Sequence, residues 1–598
     1  MVDTRVQARS LRNRKRRSRT TFWVVLTVFS LLLFAALWIG IRGALAKSAL
    51  DEAVPAATSL VEEIANGDRG AASASLTRLN DRAAEAARLT SDPVWRAGEW
   101  LPFVGANLHA VREAAGIIDD VSRNVVKPIV DVTASIGIDE FAPIDGAVQL
   151  QPLIDAQPRI SAASDALRSA NARAQSIGTE DLLAVVSDAI KKLKSTVAEA
   201  AVAIDTVDRA ATLLPPMMGA DGERNYVLLF QNPAELRATG GIPGALAQLT
   251  VVNGAISLTR QASSADFPRA PAPVLDLPLD TRALYGDKTG RYIQSINLTP
   301  QFPISATLAA EMWRQQFGVE VDGVMSVDPV VLSYLLRATG PIALPTGDVL
   351  TSDNAVQLLL SDVYARYPDP RQQDLFFAGA ASAVFSAVAS GSLKPEPLVD
   401  ALMQAGNEHR LLLWSDHTDE QKILAETTIA GGLPISDSST DRFGVYLNDA
   451  TGSKMGTYLR TEVSTGQAVC RADGLPQQDV QITLTNTAPL DAASSLPVYV
   501  TGEGAYGVTP GNIKLVIVIY GPPGSSNLGV NRDGVEFPHH PTTDSGYPVS
   551  SVGIELAPGE STTFTSSFLA RTAQHKEIVI QKTPEINIIP VREVEISC

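Results

Sequence analysis

Thr21 to Ile41 reads TFWVVLTVFSLLLFAALWIGI, twenty-one residues without a charged side chain. At 1.5 Å rise per residue such a helix is about 30 Å long, the thickness of a bilayer's hydrocarbon core. A charge at the bilayer centre costs about 2.5–3.5 kcal/mol, so a charge-free run of this length constrains the chain more than any other feature. Arg42 and Lys47 bound the run, and Trp23 and Trp38 stand near its ends, where an aromatic belt belongs. Residues 1–20 carry eight basic side chains against one acid, Asp3. That asymmetry predicts a single-pass plasma-membrane protein with a cytoplasmic N-terminus and an extracytoplasmic body. Ala44-Leu45-Ala46 resembles a signal-peptide cleavage site, but the apolar run exceeds the usual length of about 7–15 residues, which favours a retained anchor.

With −16 overall and +7 on the tail, residues 21–598 carry −23, which argues against nucleic acid as a partner. The two cysteines, Cys470 and Cys598, suit an oxidising exterior, and both one disulfide and two free thiols agree with the sequence.

At 598 residues the chain exceeds one core. After the basic tail (1–20) and the span (21–41), residues 48–216 read as a helical bundle or coiled-coil stalk. Leu183, Val186, Ile190, Leu193, Val197, Ala200, Ile204 and Val207 form a heptad seam within a helix expected over Leu182–Leu213. Thr179 is its expected N-cap and Pro215-Pro216 its expected stop. Val111, Ala114, Ile118, Val121 and Val125 repeat the spacing, as do Leu76, Leu79, Ala83 and Ala86. Residues 220–440 alternate strands and helices, as in an α/β domain. Asn253-Gly254 between apolar runs signals a hairpin, and 263–290 reads as a long loop. Residues 441–598 carry seven or eight short runs of strand character, among them Pro497–Val500, and predict an Ig-like β-sandwich.

No zinc-like Cys/His spacing, G-x-S-x-G elbow or P-loop occurs. The densest unusual segment is Gln231–Gly241, QNPAELRATGG. There Arg237 with Gly240 and Gly241 suits an anion: a guanidinium fork beside backbone N–H groups that can approach closely. The plain alternative is a tight turn with a Glu235–Arg237 surface pair.

The segments RNYVLLFQNPAELRATGG, LPFVGANLHAVREAA, VDGVMSVDPVVLSYLLRATGPI and YLNDATGSKMGTYL together resemble domain-of-unknown-function family 4012, bacterial membrane-anchored proteins without assigned activity. Residues 318–377 are more distantly similar to the LytR-CpsA-Psr phosphotransferases. That resemblance implies an α/β fold, magnesium, and transfer of a polyprenyl-pyrophosphate-linked glycopolymer to a cell-wall polymer. It assigns phosphate contacts to Arg366 and Arg371, beside Tyr364 and Asp369; Arg237, read from the Gly-rich segment itself, would complete the clamp. Glu235, Asp322 and Asp328 then become the candidate metal-binding or base groups, although Asp328 also reads as the N-cap of a helix opening at Pro329. This chain departs from the pattern: Pro368 replaces a second arginine, and Asn225 stands where those enzymes carry an acid. Two functions follow: a glycopolymer-binding or transferring envelope enzyme, and a non-catalytic envelope scaffold or binding protein.

Overall fold

The computed structural model describes residues 4–65, 68–135, 146–389, 394–587 and 589–596. Contacts divide the chain into two units, Met1–Phe141 with Leu150–Pro215, and Ala142–Gln149 with Pro216–Cys598.

The first unit is helical: α1 (Thr4–Ala65), α2 (Arg69–Thr90), α3 (Pro93–Gly98), α4 (Gly105–Val121), α5 (Lys127–Ser135), α6 (Gln151–Ser176) and α7 (Ala184–Met217). α1 is the one helix among the described residues long and apolar enough to cross a membrane. Its later turns bury Ala53, Ala56 and Leu60 against Leu76 and Leu79 of α2. The line Leu76, Leu79, Ala83 and Ala86 is fully inward, as its spacing predicts.

The seam of α7 is inward only in its middle. Ile190 and Val197 are buried, whereas Leu183 and Val207 are exposed at its ends. A straight helix drifts about 20° per heptad against a strict seven-residue repeat, so the seam rotates out of the interface. On α4 the buried line runs through Ala110 and Ile117, one residue before the expected Val111 and Ile118. A π-helical turn at Ser122–Val126 follows directly and shifts the phase of the line before Val125. Two expected boundaries of α7 also move. Thr179 does not cap it; the side chain of Asn107 accepts from the Leu183 N–H at 2.8 Å one residue before the first turn. Pro215-Pro216 falls inside the last turn, which runs to Met217, so the helix stops just after the proline pair and not before it.

The second unit opens on β1 (Arg224–Arg237), β2 (Gly240–Val252) and β3 (Ala255–Ser263). Asn253 and Gly254 both take positive φ, 48° and 81°, as a type I′ hairpin requires. The expected loop 263–290 contains a further helix, α8 (Leu279–Tyr285). There follow α9 (Phe302–Phe317), β4 (Gly323–Val327), α10 (Pro329–Thr339), the small hairpin β5 (Ile342–Ala343) and β6 (Val349–Leu350), α11 (Ala355–Gln357), a π turn at Leu358–Asp362, α12 (Val363–Arg366), α13 (Pro370–Ala389), α14 (Pro395–Asn407), β7 (Leu412–Ser415) and α15 (Thr418–Leu424). The mixed sheet has the order β3-β2-β1-β4-β7, with β1 and β4 parallel. Phe302, Ala306, Ala309 and Trp313 of α9 cover one face, packing on Val227, Leu229, Val324 and Trp414.

The remainder is β: β8 (Thr440–Asp449), β9 (Leu459–Ala468), β10 (Gln477–Asn486), β11 (Ile513–Tyr520), β12 (Ser526–Arg532), β13 (Val535–Glu536), β14 (His540–Asp544), β15 (Tyr547–Leu556), β16 (Ser561–Leu569), β17 (Glu577–Lys582) and β18 (Arg592–Glu593). They form two sheets, β13-β12-β16-β10-β9-β18 and β14-β15-β11-β8-β17. Val480, Ile482 and Leu484 of one sheet share a core with Phe443, Val445, Leu447, Leu515 and Ile517 of the other. Each inward leucine or isoleucine there contributes about 1.5–3 kcal/mol by burial. Pro497–Val500, expected as a strand, is a single helical turn, Val498–Thr501. Pro497 supplies the entry conformation and Gly502, left-handed at φ 78°, ends it; Val498 and Tyr499 are exposed, so no period-two face exists to bury.

Candidate functional site

β1 is where the unusual segment lies. Its register against β2 breaks between Asn232 and Leu236, so Pro233, Ala234 and Glu235 leave the ladder as a bulge. Pro233 has no N–H to give the ladder, which explains the break. Beyond the bulge the chain turns at Ala238-Thr239 into Gly240. The close approach needs glycine: a Cβ at Gly241 would lie 2.0 Å from the Asn232 carbonyl oxygen.

The bulge points Glu235 at Lys454, and the two form an ion pair with side chains 18% and 7% exposed. The Lys454 ammonium lies 4.6 Å from the ring centroid of Tyr364 and 5.0 Å from that of Tyr499. Tyr364 in turn accepts a hydrogen bond from Asn232 Nδ2 at 2.8 Å. Gly456 permits this junction, because a Cβ there would sit 2.7 Å from the Ala234 carbonyl oxygen. Three segments remote in sequence thus meet at one cation. Burial alone would push the Lys454 ammonium down, but Glu235 and the two phenols hold it above its ordinary value. It is therefore a fixed cation and not a general base. Burial raises the Tyr364 phenol to about 12.

Arg237 lies beside this knot. Its Nε donates to the Gln294 carbonyl at 3.2 Å, and its Nη1 donates to the Leu236 and Asp449 carbonyls at 2.9 and 3.0 Å. Burial lowers its pKa. Asp449, half-buried nearby, is pushed up to about 6 by desolvation, against hydrogen bonds from Thr451 and Gly452. The Gly241 N–H donates to Gln231 Oε1 at 2.9 Å, and the Ala238 N–H to Asn448 Oδ1 at 3.1 Å. Donors that suit an anion in the sequence are thus engaged by protein acceptors. The expected Glu235–Arg237 pair is replaced by Glu235–Lys454.

The other arginines stand elsewhere. Arg366 is exposed at the end of α12, with Nη1 3.0 and 2.8 Å from the two oxygens of Asp348. Arg371 is exposed in the first turn of α13. Among the described residues neither of them contacts Arg237, although Tyr364, in the same turn as Arg366, touches the knot.

The acidic candidates are likewise separated. Asp322 precedes β4 at the Asn225 end of β1, accepting from the Asn225 N–H at 2.7 Å and pairing with Arg224 at 3.3 Å. Glu235 lies ten residues along the same strand, roughly 30 Å away at strand rise. Asp328 caps α10, accepting from the N–H groups of Val330 and Val331 at 2.9 Å, and pairs with buried Arg410 at 2.5 Å. Each carboxylate already has its own cation, and among the described residues no group of three or more His, Cys, Asp or Glu could hold a metal ion. These acids do not fit a shared magnesium. Cys470 is disulfide-bonded; Cys598 lies outside the described residues.

Lys454, Asn232, Tyr499 and Asp449 were not singled out by sequence reasoning. The available signal was Lys454, the one basic residue inside YLNDATGSKMGTYL.

Residues 221–364 match the family described as "Protein of unknown function (DUF4012)", a stretch holding the bulge, Arg237 and Tyr364. No curated protein and no solved structure matches the chain.

Proposed function

We propose that this is a membrane-anchored envelope protein whose body works by binding and presentation, without catalysis. The basic tail faces the cytoplasm, α1 spans the bilayer, and the α/β and Ig-like β parts lie outside. The observation that carries this reading is the fate of the charges in the unusual segment: Glu235 is neutralised by Lys454 and Arg237 is spent on backbone carbonyls. A catalytic centre keeps such groups aimed at substrate. Here they lock β1 against the segment after β8.

One observation favours the alternative of a LytR-CpsA-Psr-like transferase: Arg366 and Arg371 remain exposed at the two ends of one short link. Mass spectrometry of lipid copurified with the full chain separates the two. The binding reading expects no polyprenyl-pyrophosphate glycan that depends on Arg366. Recovery of one from the wild type, lost in Arg366→Ala at unchanged melting temperature, establishes the alternative. Topology is tested by protease added outside spheroplasts, which should remove everything beyond about residue 45; a fully protected body defeats the anchored, outward-facing reading.

A further inference from the structure

The helical unit displays an apolar surface that its own packing does not explain. Between α3 and α4 the chain reads Glu99-Trp100-Leu101-Pro102-Phe103-Val104. Trp100 is 91% exposed and Phe103 95%, and Leu101 and Val104 are about half exposed. Isolated apolar side chains on a surface are ordinary, but two aromatics thrown outward together with their aliphatic neighbours mark an interaction site.

The loop is held in this form. Phe103 takes φ 67°, a left-handed conformation rare for an aromatic residue. The Gly105 N–H donates to the Leu101 carbonyl at 2.9 Å, and Asn107 Nδ2 donates to the Phe103 carbonyl at 3.3 Å. Glu99 is drawn back onto Arg112 at 2.6 Å, so the loop's one carboxylate is neutralised behind its tip. Asn107 also accepts from the Leu183 N–H, which brings a second exposed pair, Leu183 and Val185, to the same end of the unit.

Position identifies what covers this surface. Trp95 of α3 packs on Gly43, and a Cβ added at Gly98 would lie 2.9 Å from Ile39 Cδ1. Arg42 pairs with Asp92 at 2.9 Å and donates to the Leu89 carbonyl at 2.8 Å. α3 therefore rests on the last apolar turn of the span, where the charge-free run stops. Trp100 follows Gly98 by two residues, at most about 7 Å of chain. Trp38, Ile41 and Leu45 are themselves exposed on those turns of α1.

We propose that the Trp100–Val104 loop, flanked by Leu183 and Val185, is a second membrane contact that embeds in the interfacial layer of the leaflet from which α1 emerges. Aromatic side chains favour that layer, and exposed Arg96 in α3 suits the adjoining phosphates. Glu180 and Asp181, exposed ahead of Leu183, limit that flank to the headgroup level. A second contact would restrain rotation of the helical unit about α1.

This inference rests on the reading of α1 as a span, and the experiment separates the two. Single cysteines are introduced into the full chain as Phe103→Cys, Leu183→Cys, Val28→Cys and Ala74→Cys, labelled with an environment-sensitive fluorophore, and reconstituted in phosphatidylcholine–phosphatidylglycerol vesicles carrying doxyl-labelled lipid. Labels at 103 and 28 should lose most of their emission to the lipid quencher. The label at 183 should be quenched by headgroup-level doxyl, and the one at 74 should behave as in water. If 28 is quenched while 103 and 183 behave like 74, the loop proposal is wrong and the anchor stands. If 28 is also unquenched, the anchor itself fails. Shielding at 103 that ignores the lipid quencher but grows with protein density assigns the patch to a second copy and overturns the proposal.

Discussion

Lys454 is a buried ammonium held by one carboxylate and two ring faces. Removing one partner of a buried pair leaves the other desolvated, which costs about 3–5 kcal/mol, whereas replacing both with apolar groups is often neutral. Lys454→Met should therefore lower stability by about that amount, and Lys454→Met with Glu235→Leu should recover most of it in denaturant titrations. Equal loss in both variants would show that the site depends on shape and not on charge. Asp449 adds a pH dependence. Its folded pKa is raised to about 6 from 3.8. A raised carboxyl contributes stability that is fully present below its unfolded value and is lost as pH rises through about 6. Thermal melts from pH 4 to pH 8 should thus show the wild type losing roughly 1–3 kcal/mol relative to Asp449→Asn. A constant difference across that window would remove Asp449 as the titrating group.

At the scale of the element, the β1 bulge is the feature that builds the candidate site. It needs Pro233 to interrupt the ladder and Gly241 to let β2 pass. Gly241→Ala brings a Cβ to 2.0 Å from a backbone oxygen, with no flexible side chain to yield. The bulge should be forced to rearrange, and the Glu235–Lys454 pair should be lost with it. Hydrogen exchange should speed up in residues 231–241 and 452–458 together. Faster exchange in the first segment alone would mean that the two are not coupled. Gly244→Ala, in the same strand with no atom within 4 Å of its added Cβ, serves as the control.

At the scale of the whole molecule, the α/β and β parts share more than a linker. Leu236 of β1 belongs to the core between the two β sheets. Buried Arg410 donates to the Glu585 carbonyl, and Tyr285 meets Tyr520 at 2.8 Å between hydroxyls. Residues 216–598 should accordingly melt in one cooperative transition by calorimetry, and the fragment 441–598 alone should be much less stable. Two separated transitions in the longer fragment would contradict this. Such coupling suits a rigid body that presents a surface more than a pair of domains closing on a substrate.

Much of this architecture is written locally. The uncharged run after a basic tail, the line from Leu76 to Ala86 and the Asn253-Gly254 turn each follow from spacing or from the φ preference of one or two residues, and each appears where the spacing puts it. The helix boundaries at Thr179 and Pro215 and the helical turn at Val498 depart from local expectation, because caps and strand partners come from other parts of the chain. The candidate site shows the same division. That Gln231–Gly241 is unusual is evident from its composition. That Glu235 faces Lys454, 219 residues away, instead of Arg237 two residues on, is decided by a bulge that turns one side chain across to the segment after β8. The outward placement of the Trp100–Val104 loop likewise belongs to the tertiary structure. Only the packing of α3 onto the end of α1 leaves it outside, since burial is a property of neighbours and not of the residue.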